Sequence, residues 1–300
     1  MSKTEHTLLT KDKYELSFFL YEAKEAKASV LIIHGMEEHK ERYDEFANYL
    51  SERGYNVLAA DLRGHGKNAP LLSHIADKDG DKLIVEDQRE LTRFLKEKYP
   101  NLPVIIFAHS MGTIITRNLM QEDSKNYHKV VMSGYVNPNP ASGVGLALTK
   151  FIKLFKKSKG HSKMIDDLAV GQFAKSIKNR KTNLDWLSYD ENNVKNYIED
   201  PLCGVPFTLG SYVTLFSLMK KMGKPKLHIN VNETMPILLI GGKDDPCTGY
   251  EKGRKASLTN LNKAGYRNIS VITLDNMRHE ILNETKKDLV MKEIYNFLEK

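Results

Sequence analysis

One stretch of the sequence has the residue types and spacing of a nucleophilic serine. Ser110 follows a short apolar run that ends at Ala108, and it precedes Gly112 and a segment with helical spacing. This small-x-Ser-x-Gly pattern is typical of a tight turn from a buried strand into a helix, which holds the serine oxygen above the end of a parallel sheet. The turn strains the serine backbone, so small neighbours are required. Ala108 and Gly112 meet this requirement, although glycine is the usual residue at the first position.

A serine hydroxyl is a poor nucleophile, so it needs a base, and the base needs an acid that orients it. In proteins with this turn, the acid and the histidine follow the serine in that order. Asp244 and Asp245 come just after one predicted strand, and His279 comes just after the next. Catalytic groups gather at the carboxyl ends of such strands. We therefore predict Ser110 as nucleophile and His279 as base, with the adjacent aspartates as candidates for the acid.

The same pattern predicts a site for the negative charge that develops on a carbonyl oxygen. The turn supplies the backbone N–H of Met111, and a second N–H should come from the loop after the strand that ends at Ile33. Gly35 lets that loop turn sharply, and Met36 is placed to present its N–H. Two amides directed at developing charge contribute several kcal/mol to lowering a barrier.

The elements that must position these residues alternate between strand and helix. Continuous apolar runs predict buried strands at residues 28–33, 57–60, 103–108, 129–133, 236–240 and 269–274. An early pair of strands is predicted at residues 7–10 and 16–21, and helical spacing fills most intervals between the later strands. Repeated strand-helix units imply an α/β fold with a mostly parallel central sheet that is flanked by helices on both faces.

The alternation stops for about a hundred residues in the second half of the chain. We therefore predict one core made of residues 1–136 and 235–300, and an inserted, mostly helical cap made of residues 137–234. The length of 300 residues and the apolar fraction of 41% suit one large globular domain with an insertion.

Within the predicted cap, one helical segment has an apolar face and a basic face. The apolar face consists of Val144, Leu148, Phe151, Ile152 and Phe155, and the basic face consists of Lys150, Lys153 and Lys157. Such a helix can lie on an anionic membrane surface. Alternatively, its apolar face packs on the main domain and its lysines face solvent, which is the commoner arrangement.

A second cap segment, residues 207–222, is apolar over most of its length. A helix of this kind is buried or lines an apolar pocket, and in a cap above a nucleophile it can do both. The segment provides our candidate substrate-binding residues Phe207, Val213, Phe216 and Met219.

Several short motifs together resemble the monoacylglycerol lipase and lysophospholipase branch of the α/β-hydrolases. They are HGMEEH at residues 34–39 followed by RY at 42–43, DLRGHG at 61–66, HSMG at 109–112, DP at 245–246 and RHE at 278–280. In the cap, DWLS at 185–188 and DPLCG at 200–204 are similar to bacterial members. The resemblance implies an α/β-hydrolase fold with Ser110 as nucleophile, His279 as base and Asp245 as acid, and with Met36 and Met111 in the oxyanion hole.

The activity that this resemblance implies is hydrolysis of carboxylic esters of monoacyl lipids through an acyl-enzyme, without a cofactor. Monoacylglycerols and lysophospholipids are the expected substrates. Two alternatives stay open, a small-ester carboxylesterase and a binding protein of the same fold that has lost its chemistry. The pair Asp244–Asp245 also departs from the single acid of the family, and either carboxylate could serve.

Other classes of function find little support in the sequence. Residues 64–69 match a dinucleotide fingerprint by letters, but Pro70 and the lack of helical spacing argue against it. His279 has no second histidine four residues later, and Cys203 and Cys247 lack metal-ligand spacing. We therefore expect no cofactor and no metal. A net charge of +7 permits attraction to anionic surfaces, but we expect no nucleic-acid partner.

The location of the protein is also an expectation from the sequence. Two cysteines cannot form a disulfide framework, which suits a reducing compartment. The first residues show no secretion signal, and no run approaches the ~18 apolar residues of a membrane span. We therefore expect a cytoplasmic protein.

Overall fold

The computed structural model describes residues 2–300, in which eight strands form one sheet. The strands are β1 Ser2–Leu9, β2 Glu15–Glu22, β3 Ala28–Ile33, β4 Tyr55–Ala60, β5 Val104–His109, β6 Lys129–Ser133, β7 Ile237–Gly242 and β8 Ile269–Leu274. Their order across the sheet is β1-β2-β4-β3-β5-β6-β7-β8. The first two pairs, β1 with β2 and β2 with β4, are antiparallel, and all the other pairs are parallel. The predicted α/β class with a mostly parallel sheet is confirmed.

The central strands are buried along their whole length, as their continuous apolar sequences predict. Every residue of β3, β4, β5, β6 and β7 is buried. A strand buried on both faces needs apolar side chains at every position rather than at alternate ones. The edge strand β8 is half exposed.

Helices cover both faces of this sheet. They are α1 Asp44–Ser51, α2 Gly80–Lys98, α3 Met111–Asp123, α4 Ser142–Lys156, α5 Lys163–Asp166, α6 Gln172–Ser176, α7 Glu191–Glu199, α8 Leu209–Met222, α9 Tyr250–Lys263 and α10 Lys287–Glu299. A π-helical turn, Asp167–Gly171, joins α5 to α6. Among residues 2–300, no helix has both the length and the apolar character that crossing a bilayer requires.

Successive residues of β5 show how the two faces are filled. Ile106 belongs to an apolar cluster with Ile115 of α3 and Tyr212 of α8. Its neighbour Phe107 points to the opposite face, where it belongs to a second cluster with side chains of α1 and α10. Because each fully buried side chain of this size contributes about 1.5–3 kcal/mol to folding, these two clusters hold the end of β5, and with it Ser110, in place.

The alternation of strands and helices stops between β6 and β7, where α4 to α8 lie. This interval is the one in which the sequence predicts an inserted helical cap of residues 137–234. One of its helices, α8, shares an apolar cluster with α2 and α3, so it is fixed firmly to the rest of the protein. The division into core and cap stays our proposal, and the terms core and cap are used below in that sense.

The amphipathic cap helix α4 packs differently from the commoner arrangement. It rests on α8 through its small residues, because Gly145 lies so close to Phe216 that a Cβ there would be 2.8 Å from the ring. The predicted apolar face is divided: Val144, Phe151 and Phe155 are exposed, at 71%, 59% and 74%, whereas Leu148 and Ile152 pack against the core cluster. The alternative in which this face packs on the main domain therefore holds for Leu148 and Ile152 and fails for the other three residues.

Candidate active site

Ser110 lies in a strained turn between β5 and α3. Its φ of 50° and ψ of −119° place a non-glycine residue in a region that L-amino acids rarely occupy. The turn brings the next segment close to β3, since a Cβ on Gly112 would lie 2.1 Å from the carbonyl oxygen of Ile33. The backbone N–H of Ser110 donates a 3.0 Å hydrogen bond to the carbonyl of Ser133. The sequence pattern predicts this strained geometry and the small residue after the serine.

A continuous chain of hydrogen bonds joins Ser110 to a histidine and an aspartate. The Nε2 atom of His279 lies 2.8 Å from the Ser110 Oγ, and its Nδ1 lies 3.0 Å from Asp245 Oδ2. The carboxylate can only accept, so Nδ1–H donates to it and Nε2 is left to accept the serine proton. Asp245 is fully buried and also accepts the N–H of Cys247 at 2.8 Å. The arrangement can make the serine nucleophilic.

The two adjacent aspartates have different surroundings. The structure brings Asp245, and not Asp244, to His279. The carboxylate of Asp244 is half-exposed and accepts a 3.0 Å hydrogen bond from the hydroxyl of Tyr189. This placement favours Asp245 as the orienting acid, which stays a prediction about catalysis.

Charge and burial compete at His279. Burial disfavours the imidazolium, but the Asp245 carboxylate, with smaller help from Glu280, outweighs burial and raises the pKa of His279 above its usual value. The neighbouring ring of His109, with centroids 4.7 Å apart, behaves in the opposite way. Burial and the charge of His279 lower the pKa of His109 to about 4, so His109 stays neutral at pH 7.

The two candidate oxyanion residues lie beside the serine. Met36 and Met111 line the same cavity as Ser110. Met111 is the first residue of α3, and the first N–H groups of a helix have no carbonyl partner within it. Gly35 allows the close approach of the second loop, since a Cβ there would lie 3.0 Å from the Ser110 Cβ. The placement suits two amides that point at one oxygen, and their role stays a prediction.

An ionic network that the sequence reasoning missed braces this loop. Glu38 accepts the N–H of Gly35 at 2.5 Å and is paired with Arg42 at 2.9 Å. The same guanidinium forms two 2.7 Å hydrogen bonds with Glu280, the residue after His279. One arginine therefore links the candidate oxyanion loop to the segment of the candidate base. Arg42 and Glu280 both belong to the motifs that carry the family resemblance, but nothing in the sequence indicates that two residues 238 positions apart form a pair.

A second missed contact joins the core to the cap. His39 lies between two carboxylates, 2.7 Å from Glu41 and 2.8 Å from Asp200 of the cap. Burial opposes the charged ring, but Cys203 and the two carboxylates raise the pKa of His39 to about 11. His39, Asp200 and Cys203 could also hold a metal ion, as could Asp245, Cys247 and His279. In both groups the histidine is already hydrogen-bonded to a carboxylate.

The cavity above Ser110 has a volume of about 360 Å³ and a mixed lining. One part is charged, and its residues are Glu37, Lys163, Asp166, Asp167, Lys175 and Arg180. An adjoining cavity of about 420 Å³ is mainly apolar. The two cavities share lining residues, among them Val136, Leu215, Met219 and Cys247.

The four candidate substrate-binding residues of the cap fall into different places. Met219 lines both cavities, and Phe216 lines the apolar one. Phe207 and Val213 line neither of these cavities. Phe207 is fully buried between the rings of His65 and Tyr212, at 5.6 Å from each, and Val213 packs against the core cluster. The structure therefore corrects the expectation for these two residues, because α8 uses them for packing.

Trp186 of the cap was not among the predicted site residues, yet it contacts the candidate base. Its ring lies 4.9 Å from that of His279 and 4.9 Å from that of Phe173. Trp186 is the only tryptophan in the sequence and lies in one of the cap motifs. That rarity is the signal that could have identified it.

Known proteins resemble this chain in sequence and in structure. Residues 24–286 match the family described as serine aminopeptidase, S33. A monoacylglycerol lipase of Mycolicibacterium smegmatis is 25% identical over 270 residues, which cover 90% of this chain and 87% of that protein. A monoglyceride lipase of Rattus norvegicus is 25% identical over 73% of this chain and 65% of its own length. A thermostable carboxyl esterase from Bacillus coagulans, solved in complex with glycerol, has a TM-score of 0.92 at 25% identity and covers 100% of this chain and 98% of its own.

Proposed function

We propose that this chain cleaves carboxylic esters of monoacyl lipids through an acyl-enzyme. The chain belongs to the serine aminopeptidase S33 family of α/β-hydrolases and is an ester-hydrolysing enzyme. The observation that carries the proposal is the hydrogen-bonded chain from Ser110 through His279 to Asp245. It lies at a cavity that adjoins a second, mainly apolar cavity. The names of relatives that are monoacylglycerol lipases support the same substrate class.

In the proposed mechanism, the Ser110 oxygen attacks the ester carbonyl while His279 Nε2 takes its proton. The Asp245 carboxylate stabilises the imidazolium, and the N–H groups of Met36 and Met111 bind the oxyanion. His279 returns the proton to the departing alcohol, which leaves an ester between the acyl group and Ser110. Water then attacks this ester with His279 again as base, and Ser110 is released as the free acid forms.

The apolar cavity is proposed to hold the acyl chain. It opens off the serine cavity and is lined by apolar side chains that include Leu215, Phe216 and Met219. Each methylene that is buried there should gain up to about 0.8 kcal/mol relative to water. A substrate with a medium or long acyl chain would therefore react faster than an acetate.

The outer face of α4 is proposed to contact an anionic lipid surface. Four of its large apolar side chains are exposed, namely Val144, Phe151, Leu154 and Phe155. Lysines accompany them on the same helix, and the chain carries a net charge of +7. Apolar burial together with attraction to anionic headgroups is the means by which amphipathic helices bind membranes peripherally.

Two measurements test the proposed function. Labelling by a fluorophosphonate probe tests for an activated serine, and a panel of monoacylglycerols, lysophospholipids and p-nitrophenyl esters of graded chain length identifies the substrate. We expect labelling at Ser110 and the highest kcat/KM for monoacyl lipids. A profile that peaks at acetate or butyrate would favour the small-ester carboxylesterase, which the likeness to the Bacillus coagulans esterase supports. Absence of both labelling and turnover would indicate a binding protein.

A further inference from the structure

Glu37 occupies an unusual position in the loop beside Ser110. It follows Met36 directly, lines the cavity that contains Ser110, and has a φ of 58°. This left-handed region is unfavourable for a residue with a Cβ, and glutamate has no special tolerance of it. Strain of this kind persists where the surroundings enforce it, and it concentrates at functional sites.

Three hydrogen bonds fix the backbone of Glu37. Its N–H donates to Nε2 of His65 at 3.3 Å. Its carbonyl accepts the N–H of Gly204 at 2.9 Å and the hydroxyl of Tyr197 at 2.8 Å. The core and the cap therefore hold this residue from both sides, and its side chain is presented to the cavity by a rigid backbone.

The carboxyl group of Glu37 is incompletely satisfied. Its Oε1 atom is buried and has no hydrogen-bond partner among residues 2–300. A buried polar atom without a partner costs about 1–3 kcal/mol, so a native structure that keeps one in a cavity beside the nucleophile is suited to a ligand that supplies the partner.

The ionisation of this group indicates which partner fits. Burial, followed by the nearby charge of Asp166, raises the pKa of Glu37 to about 8, although the backbone N–H of Phe207 acts in the opposite direction. At pH 7 the carboxyl therefore carries its proton for most of the time, and it can both donate and accept a hydrogen bond. A hydroxyl group has the same dual capacity, whereas a cation needs a charged carboxylate.

We propose that Glu37 binds a hydroxyl group of a polyol, such as glycerol, in the alcohol part of the ester. The inference rests on the proposed ester hydrolysis at Ser110 and names the part of the substrate that the polar end of the cavity recognises. The apolar cavity beside Met219 takes the acyl chain, and the charged end of the serine cavity takes the alcohol. Glu37 is thus a substrate-binding residue that distinguishes glyceryl esters from esters of simple alcohols.

The test compares two esters with the same acyl chain, 1-monooctanoylglycerol and methyl octanoate, below their aggregation limits. The quantity measured is the ratio of their kcat/KM values. Glu37→Leu keeps the side chain's approximate volume and the backbone strain but removes both hydrogen-bonding functions, so the ratio should fall about tenfold. Glu37→Gln keeps a donor and an acceptor, and its ratio should stay within about threefold of the wild type.

Two controls separate this effect from folding. Lys13→Leu alters another residue with positive φ, at 65°, that is exposed and lines neither cavity, and it should leave the ratio unchanged. Thermal melting of each variant shows that it is folded. An unchanged ratio in folded Glu37→Leu would overturn the inference. A wild-type preference for octanoylcholine over the glyceryl ester, lost in Glu37→Gln, would also overturn it, because it would reveal a cation site.

A binding measurement distinguishes failure of this inference from failure of the proposed function. The ether 1-O-octylglycerol has the same hydroxyl groups as the glyceryl ester but cannot be hydrolysed. Its Kd, measured by calorimetry, should rise about tenfold in Glu37→Leu, while that of octyl methyl ether should not. If the wild type hydrolysed neither ester, the proposed function would fail, and this comparison would still decide the role of Glu37. If 1-O-octylglycerol had the same Kd for the wild type and for Glu37→Leu, that role would be refuted.

Discussion

The core side and the cap side of the cavity are built in different ways. On the core side, Ser110, His279 and Asp245 come from the carboxyl ends of parallel strands or the loops that follow them, and each side chain is hydrogen-bonded to the next. On the cap side, Leu215, Phe216 and Met219 line the apolar cavity, and a separate group of charged cap residues lines part of the serine cavity. The difference teaches that the sheet supplies the chemistry and the insertion supplies the choice of acyl chain. Variants of Ser110, His279 or Asp245 should therefore slow all esters alike. Cap variants should alter the ranking by acyl chain, and the core residue Glu37 should affect only the ranking by alcohol.

The largest effect is expected at the nucleophile itself. Ser110→Ala should reduce hydrolysis of every ester, and labelling by a fluorophosphonate, to background, because the variant lacks the hydroxyl that forms the acyl-enzyme. Its melting temperature should be equal or higher, since a residue held at a φ of 50° serves function rather than packing. Turnover by a pure sample of this variant would show that the core side has been assigned wrongly.

The next largest effect is expected at the orienting acid. Asp245→Asn should lower kcat by about 10⁴-fold for short and long esters equally, because asparagine favours the wrong tautomer of His279. Asp244→Asn is the matched control, and it should cost little because Asp244 contacts Tyr189 instead. Steady-state kinetics on both variants decide the matter, and a reversed order of effects would make Asp244 the acid.

A cap variant should change the ranking of esters instead. In the wild type, kcat/KM should rise by up to about fourfold for each added acyl methylene until the apolar cavity is full. Met219→Ser and Phe216→Ser should each flatten this rise and spare short esters, because both residues line the apolar cavity. Val213→Ser on the same helix is the control, since Val213 lines neither cavity. Equal flattening by the control would show that α8 acts through stability alone.

Substitutions on the outer face of α4 should change the binding of the protein to lipid surfaces rather than its turnover of esters. Replacement of both Phe151 and Phe155 by serine should weaken binding to anionic phospholipid vesicles by about tenfold or more, because each ring buries large apolar area. Turnover of a soluble ester should be unaltered. Co-sedimentation with vesicles measures the binding, and Leu289, an exposed apolar residue of α10, provides the control substitution Leu289→Ser.

The smallest effect is a displacement of the pH profile. His279 must be neutral to accept the serine proton, so kcat/KM should be lost as the pH falls through its pKa. Because that pKa is raised, the loss should begin above the ordinary imidazole value of about 6.5. Removal of the Asp245 charge in Asp245→Asn should move the acid limb to lower pH, whereas Asp244→Asn should not. If the acid limb lay at the same pH in Asp245→Asn as in the wild type, the pairing of Asp245 with His279 would be contradicted.

The parts of the fold that the sequence predicts best are those decided by local rules. The apolar run at residues 28–33 becomes β3 with the same bounds, since a strand buried on both faces must be apolar throughout. The turn at Ser110 is equally local, because a strained serine between small residues has few alternatives.

The remaining features depend on contacts between distant segments. Periodicity identifies the two faces of α4, but it cannot tell which face meets a neighbour, and Gly145 allows α8 to approach the small-residue face. The Arg42–Glu280 pair and the packing of Phe207 likewise require partners from other parts of the chain. Which polar atoms stay unpaired, such as Oε1 of Glu37, is known only when every neighbour is placed.

The bonds that hold the carbonyl of Glu37 have a consequence for the timing of a catalytic cycle. Both donors, the N–H of Gly204 and the hydroxyl of Tyr197, belong to the cap, and Glu37 directly follows the candidate oxyanion residue Met36. Any motion that lifts this part of the cap to admit a lipid or discharge a fatty acid must break these two bonds and leave the loop that carries the Met36 N–H held by its core contacts alone. The Met36 N–H would then be less firmly placed for the oxyanion during entry and exit than when the cap is seated.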